Sequence, residues 1–261
     1  MATLSLVVIT RNEEDNLAEC LDSAAWCDEI VVVDDDSTDS TREVARRYTD
    51  KVHRRTLDRF GRQKQFAIEQ ATGDWILVLD ADERVTDELA DGIRQVVEAD
   101  GAGLDGYRLR RLTWLFGEPV SFAGWYKCVH LRLFRRGSAR YVDRRVHEYP
   151  ELINGGKLGA LPGHLDHHTY VDLDEMESKR ERYSSLAAAD WYDAGRRVNG
   201  LTAVWWIGIV PLAAFVREFV VQGGWRGGRT GLRIARMAML SDYVTVRKLW
   251  ALSRAAPADG S

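Results

Sequence analysis

Asp80 and Asp82 stand one residue apart at the end of the apolar run Trp75-Ile76-Leu77-Val78-Leu79. A run that is apolar at every position reads as a strand buried on both faces of a parallel sheet. Ligands of open α/β sheets sit just beyond the carboxyl ends of the strands. Both carboxylates are therefore expected at the mouth of the sheet, pointing the same way. Negative charge gathered there is costly unless a hard cation neutralises it, and Mg²⁺ takes one or two carboxylates together with phosphate oxygens and water. An isolated Asp-x-Asp is more often a solvated acidic loop, so the surrounding pattern has to decide.

Two further polar segments end apolar runs in the same way. Leu4–Ile9 leads into Thr10-Arg11-Asn12-Glu13, and Glu29–Val33 leads into Asp34-Asp35-Asp36. Between them, residues 16–25 carry an apolar stripe at helical spacing (Leu17, Cys20, Leu21, Ala24). Ser37 to Thr41 offers N-cap chemistry for a helix reaching about Tyr48. Lys51–Arg55 reads as a short strand and Gly61–Gln70 as a helix. Strands alternating with helices give βαβ units, so the three polar strand ends should meet in one crevice. No Gly-x-Gly-x-x-Gly follows the first strand and no Gly-x₄-Gly-Lys-Ser/Thr occurs anywhere. A nucleotide bound here would have its diphosphate held by metal rather than by a glycine loop. An aspartate at the end of the second strand could accept from a ribose hydroxyl or a base N–H.

The second half is less regular. Tyr107–Thr113, Val129–Arg135 and Arg140–Arg145 read as strands, and the aromatic segment Phe122–Tyr126 joins the first two. Residues 172–194 read as a polar helix. His164, His167 and His168 match no standard zinc spacing, and a histidine-rich polar turn before that helix is the expectation. Residues 203–216 are uncharged, which is short of the roughly 20 residues that a spanning helix needs. Two accounts stay open for this run. It can be a buried helix completing the core, or an interfacial membrane segment, as five tryptophans between Trp191 and Trp250 and nearby arginines suggest. Gly208 and Pro211 are expected to kink or break it.

The net charge of −4 hides an asymmetry: residues 196–261 hold ten bases against three acids. A catalytic body over 1–195 and a basic, Trp-rich helical region over 196–261 are the expected domains. No basic stripe covers the body, which argues against nucleic acid as partner. Cys20, Cys27 and Cys128 lack Cys-x-x-Cys spacing, and the first residues carry no signal-peptide pattern, so a reducing cytoplasm is expected.

Three segments together resemble inverting glycosyltransferases of family 2: Val7-Val8-Ile9-Thr10-Arg11-Asn12-Glu13-Glu14, Val31-Val32-Val33-Asp34-Asp35-Asp36-Ser37-Thr38-Asp39, and Gly73 to Glu83. Phe60-Gly61-Arg62-Gln63-Lys64-Gln65, Gly124-Trp125-Tyr126, Leu131 to Gly137 and Val146-His147-Glu148 resemble the subgroup that glucosylates the inner core of lipopolysaccharide. The resemblance implies the GT-A fold, a Rossmann-like, mostly parallel sheet with flanking helices. It also implies a nucleotide-sugar donor, a UDP-sugar first, with Mg²⁺ or Mn²⁺. Thr10, Arg11, Glu13, Asp34, Lys64, Asp80 and Ala81 would line the donor site, and Asp82, Asp80 and His167 would face the metal. Trp125, Tyr126 and His147 would face a glycan or lipid-linked acceptor, and Glu148 would be the base. The subgroup carries Ser-Gly where this chain has Asp35-Asp36, and Asn where it has Gln65.

The leading expectation is thus a cytoplasmic sugar transferase working with inversion, with the inner face of the membrane and a homo-oligomer both within reach. A catalytically silent nucleotide-sugar-binding module on the same scaffold would want Asp82 or the carboxylate base missing, and both are present. Nucleotidyl transfer would want a glycine- and lysine-rich loop after the first strand, which Thr10–Asp15 does not offer.

Overall fold

The computed structural model describes residues 1–121, 129–141, 149–170, 173–200 and 202–255. The chain folds as two compact units, 1–114 with 127–169, and 115–126 with 170–261.

The first unit is built on three parallel strands, β1 (Leu4–Thr10), β2 (Glu29–Asp34) and β4 (Trp75–Asp80), with the short β3 (Val52–Arg54) beside β2. Alternation along these strands feeds two cores. Leu4, Leu6, Val8, Val32, Leu77 and Leu79 face α1 (Leu17–Ser23), α2 (Thr41–Ala45) and α4 (Asp87–Glu98). Val7, Val31, Val33, Ile76 and Val78 face α3 (Phe60–Gln70). Both faces are covered, which is why these strands read as unbroken apolar runs. Asp39, not the N-cap Ser40, caps α2: its Oδ1 accepts from the Thr41 N–H at 3.1 Å and from the Thr41 hydroxyl at 2.6 Å.

Beyond β4 the sheet turns antiparallel. β8 (Val129–Arg135) pairs with β4 and with β6 (Gly106–Leu115). The sheet continues through β12 (Leu165–Tyr170) to β5 (Glu83–Val85), and β11 (Leu158–Ala160) lies along β6. A separate ribbon pairs β9 (Ala139–Tyr141) with β10 (Pro150–Leu152). The strand expected over 140–145 begins at Ala139, and its later residues lie outside the described ones.

Register places the chemistry. Thr10 stands opposite Asp34, and Ile9 opposite Asp80, so three strands deliver their polar ends to one edge. The turns beyond them use left-handed backbone at Asn12 (φ 52°) and Asp36 (φ 50°), short polar residues that tolerate it. Asp36 therefore fills, at little conformational cost, a place where glycine would be the default residue.

In the second unit, β7 (Glu118–Val120) contributes Val120, which packs with Leu115 against Ile234. The long helices α5 (Leu173–Asp193) and α7 (Gly228–Ala255) enclose Ala188, Val198, Val246 and Leu249. Lys248 Nζ donates to Ser184 Oγ at 2.9 Å and to the Glu181 carbonyl at 2.7 Å, tying α7 to α5. The apolar run does not break at Pro211. A π-helical turn, Val204–Ile209, leads into α6 (Val210–Val216), where Pro211 sits in the first turn, and a second π-helical turn covers Arg217–Val221. Pro211 lies inside a continuous helical stretch, and the wide π-helical turn before it accommodates its missing N–H.

Candidate active site

Beyond β4 the chain does not stay extended. Ala81 and Asp82 form a turn, so the two carboxylates of Asp80-Ala81-Asp82 go to different partners instead of sharing one negative mouth. Asp80 Oδ1 meets Lys64 Nζ at 2.7 Å, and Asp80 Oδ2 accepts from Arg132 Nη2 at 2.7 Å. Arg132 also donates to Glu83 Oε1 at 2.9 Å, while Glu83 Oε2 accepts from the Asp80 backbone N–H at 2.9 Å. Arg111 approaches Glu83 at 3.6 Å. Glu83 is fully buried and Arg132 nearly so, which is tolerable only because each charge is paired and hydrogen-bonded. Burial alone would raise the Asp80 carboxyl, but Arg132 and Lys64 hold it well below the usual carboxylate range. Burial would likewise lower Arg132, and Asp80 and Glu83 override it. His130, on the same strand, is pushed down to about 4 by burial and by the neighbouring Arg132 and Arg111, so it is neutral at neutral pH.

Asp82 goes the other way. His167 lies on β12, opposite Glu83 in the antiparallel register with β5, and its Nε2 stands 3.4 Å from Asp82 Oδ2. The His168 backbone N–H donates to the Asp82 carbonyl at 2.9 Å. The expected histidine turn is therefore a strand. Alternation separates its two adjacent histidines: His167 faces Asp82, and His168 stacks on Trp114 with ring centroids 5.7 Å apart. His164 Nε2 lies 3.4 Å from Asp166 Oδ1, which accepts from Trp114 Nε1.

The pair Asp82–His167 suits a divalent cation in two respects. Its 3.4 Å separation exceeds the usual 2.7–3.2 Å of an N–H···O hydrogen bond. It is close to the roughly 3.0–3.4 Å that adjacent ligands keep when each is about 2.1 Å from one ion. His167 Nδ1, on the far side of the ring, is buried and has no hydrogen-bond partner among the described residues, so none of them fixes the tautomer that ligation through Nε2 would need. Among the described residues no cluster of three or more such ligands forms, so Asp80 does not join this pair. One carboxylate and one imidazole would leave the remaining positions to phosphate oxygens and water.

At the neighbouring strand ends, Thr10 Oγ1 and Asp34 Oδ2 are buried and make no hydrogen bond among the described residues. Asp34 Oδ1 is engaged by the Ser37 N–H at 3.1 Å and faces Arg42 at 3.7 Å, so one oxygen is anchored and the other left over. Two orphaned oxygens on paired residues of adjacent strands mark a place where a polar ligand completes the hydrogen bonding. Arg11 pairs with Asp35 at 2.9 Å, and Asp35 also accepts from the Leu57 N–H at 2.8 Å. Asp36 pairs with Arg54. The extra acids after β2 thus brace the loop, and their charge is compensated. Glu13 accepts from Asn16 Nδ2 at 2.8 Å, while its N–H donates to Thr41 Oγ1. Ala81 is buried in the turn.

Thr10, Arg11, Asp34, Lys64, Asp80, Ala81, Asp82 and His167 all fall in the first unit. Trp125, Tyr126, His147 and Glu148 lie outside the described residues. Sequence reasoning does not single out Arg132 or Glu83. The signal is nonetheless present in Leu131-Arg132-Leu133, since a lone charge inside an apolar strand must have a buried partner.

Comparison with known proteins bears on the family and the fold. The family model described as glycosyl transferase family 2 matches residues 5–116. A lipopolysaccharide core biosynthesis glycosyltransferase of Rhizobium meliloti, LpsC, is 31% identical over 254 residues, covering 95% of this chain and 92% of its own. An uncharacterized glycosyltransferase of Rickettsia typhi is 28% identical, covering 85% and 80%. Among solved structures, residues 1–349 of Staphylococcus aureus TarS in complex with UDP-GlcNAc align over 94% of this chain and 90% of that one, at 16% identity and a TM-score of 0.51. With the order of its motifs, a mixed sheet of GT-A type and a relative matched along nearly its whole length, the chain belongs to glycosyltransferase family 2.

Proposed function

We propose that the protein transfers a sugar from a nucleoside diphosphate donor, a UDP-sugar, to a glycan or lipid-linked glycan acceptor, with inversion at the anomeric carbon. The observation that carries this reading is the pair of buried oxygens Thr10 Oγ1 and Asp34 Oδ2 at adjacent strand ends, which have no hydrogen-bond partner among the described residues. A nucleobase and ribose supply the N–H and O–H donors that Asp34 and Thr10 lack. The S. aureus structure with UDP-GlcNAc supports a uridine donor, and the R. meliloti relative supports a lipopolysaccharide-core acceptor.

Asp82 and His167 would hold Mg²⁺ or Mn²⁺, which when bound supplies positive charge to the departing diphosphate. Lys64 and Arg132 are paired with Asp80, and Arg132 with Glu83 as well, so this buried network fixes the end of β4 beside the donor site. Asp80 anchors these two cations and is not counted as a metal ligand. Glu148, the base that the sequence resemblance implies, takes the proton of the attacking hydroxyl. That hydroxyl displaces the nucleoside diphosphate in one step, so the configuration inverts.

A thermal-shift panel of nucleotide sugars with Mn²⁺ or Mg²⁺ tests the donor assignment. The cognate donor at 100 times its dissociation constant should add roughly 2.7 kcal/mol of stability. A panel in which UDP-sugars shift nothing while another nucleotide does would overturn the uridine reading.

A further inference from the structure

The proposed reaction rests on the first unit, whereas the helices of the second unit carry a separate inference. From Val204 to Val221 the chain is helical over 18 residues with a mean hydropathy of 1.7, yet only 17% of that stretch is buried. Its inner face is accounted for: Trp206, Ile207 and Val210 pack on the core of α5 and α7, and Pro211, Ala214 and Glu218 are buried. Its outer face should then be polar, as on any surface helix of a soluble protein. Instead it carries Val204, Trp205, Ile209, Leu212, Val216 and Val220, with Trp205 and Leu212 each 57% exposed. Adjacent tryptophans thus split, Trp206 inward and Trp205 outward.

The charge on this region is mostly of one sign. Residues 196–255 hold ten Arg and Lys against Glu218 and Asp242 alone. Arg217 flanks the outer stripe and leans on the buried Glu218 at 3.0 Å. Arg226 sits over the exposed Trp225 ring at 5.2 Å, beyond the end of the stripe. Exposed Arg229, Arg233 and Arg236 follow on α7, which folds back along α6. An apolar stripe rimmed by arginines complements a surface that offers acyl chains and anionic headgroups together.

We propose that the outer face of 204–221 docks in the plane of an anionic lipid bilayer without crossing it. Eighteen helical residues extend at most about 27 Å, short of the roughly 30 Å hydrocarbon layer. Crossing would also pull the start of α7, with Arg229, Arg233 and Arg236, into hydrocarbon, where arginine is strongly disfavoured. Lying flat, the same three arginines stay among headgroups, each strengthening vesicle partition about fivefold, the equivalent of about 1 kcal/mol.

Flotation of the full chain with phosphatidylcholine vesicles, with and without phosphatidylglycerol, tests this. The protein should float with the anionic vesicles, be released by high salt, and come off under an alkaline wash. Leu212→Glu with Val216→Glu, both exposed, should keep the melting temperature and lose at least 10-fold in vesicle binding. Arg229→Gln with Arg233→Gln and Arg236→Gln should lose about 100-fold on anionic vesicles only. Three outcomes overturn the proposal: wild type that does not float at low salt, resistance to the alkaline wash, or vesicle-free dimers that Leu212→Glu with Val216→Glu dissociates. The last would make a second copy of this chain the occupant of the face.

Discussion

Replacing Arg132 by Met removes the cation that joins the Asp80 and Glu83 carboxylates at 2.7 and 2.9 Å. Taking one partner from a buried ion pair costs about 3–5 kcal/mol, because an uncompensated charge stays behind. Here the lower end, about 3 kcal/mol, is expected, since Asp80 keeps Lys64 at 2.7 Å and Glu83 keeps Arg111 at 3.6 Å. At about 2–4 °C per kcal/mol for a chain of this size, the melting temperature should fall by about 6–12 °C. Glu83→Gln keeps a carbonyl for the Asp80 N–H, so the double variant should be milder than the sum of the singles by about 1–3 kcal/mol. The pH dependence has a definite sign. Asp80 is held below its ordinary value, so its contribution is complete above the unfolded carboxylate pKa of about 3.9 and fades as pH falls through it. The deficit of Arg132→Met is therefore largest near pH 7 and narrows below about pH 4. Urea unfolding across pH reads both quantities. A deficit under about 1 kcal/mol at pH 7, or one that widens on acidification, would refute the buried-network reasoning.

Asp82→Ala should stay folded and lose metal-dependent donor binding, read as loss of the Mn²⁺-dependent thermal shift by UDP; unchanged turnover would remove Asp82 from the metal site. Glu148→Gln should lower turnover about 10²–10⁴-fold while donor affinity holds. A variant that binds donor poorly but turns over normally at saturation would place Glu148 with the donor instead. Burial would raise Glu29, but Lys51, Ser5 and Thr72 hold its carboxyl down to about 2. Its stabilisation is thus complete above about pH 4.3 and lost toward pH 2. Glu29→Gln should therefore be less stable than wild type by about 1–2 kcal/mol at pH 7, a gap that closes in acid. A gap constant from pH 7 to pH 2 by circular dichroism would count against it.

The parallel half of the sheet was legible because β1, β2 and β4 are buried on both faces and their apolar runs admit no other period. The order of their polar ends then placed Thr10, Asp34 and Asp80 at one edge, as the register shows. What the sequence concealed lies where neighbours are distant in the chain. β12 pairs with β5 some 80 residues away, so nothing local to His167 and His168 announced a strand. The turn at Ala81–Asp82 broke the alternation that would have aimed both aspartates together. Arg132 was hidden for the same reason: its partners Asp80 and Glu83 arrive from β4 and β5. Pro211 has the residue type of a breaker, but the π-helical turn before it accommodates the missing N–H and the helix runs on.

The central claim is that Asp82 and His167 hold the cation that meets the donor's diphosphate. Electron paramagnetic resonance of Mn²⁺ titrated into the protein with UDP tests it most directly. The account predicts a bound-Mn²⁺ signal with nitrogen hyperfine coupling from one imidazole. Asp82→Ala should abolish the signal, and His167→Ala should remove its nitrogen coupling. An identical Mn²⁺ signal in wild type and both variants would contradict it.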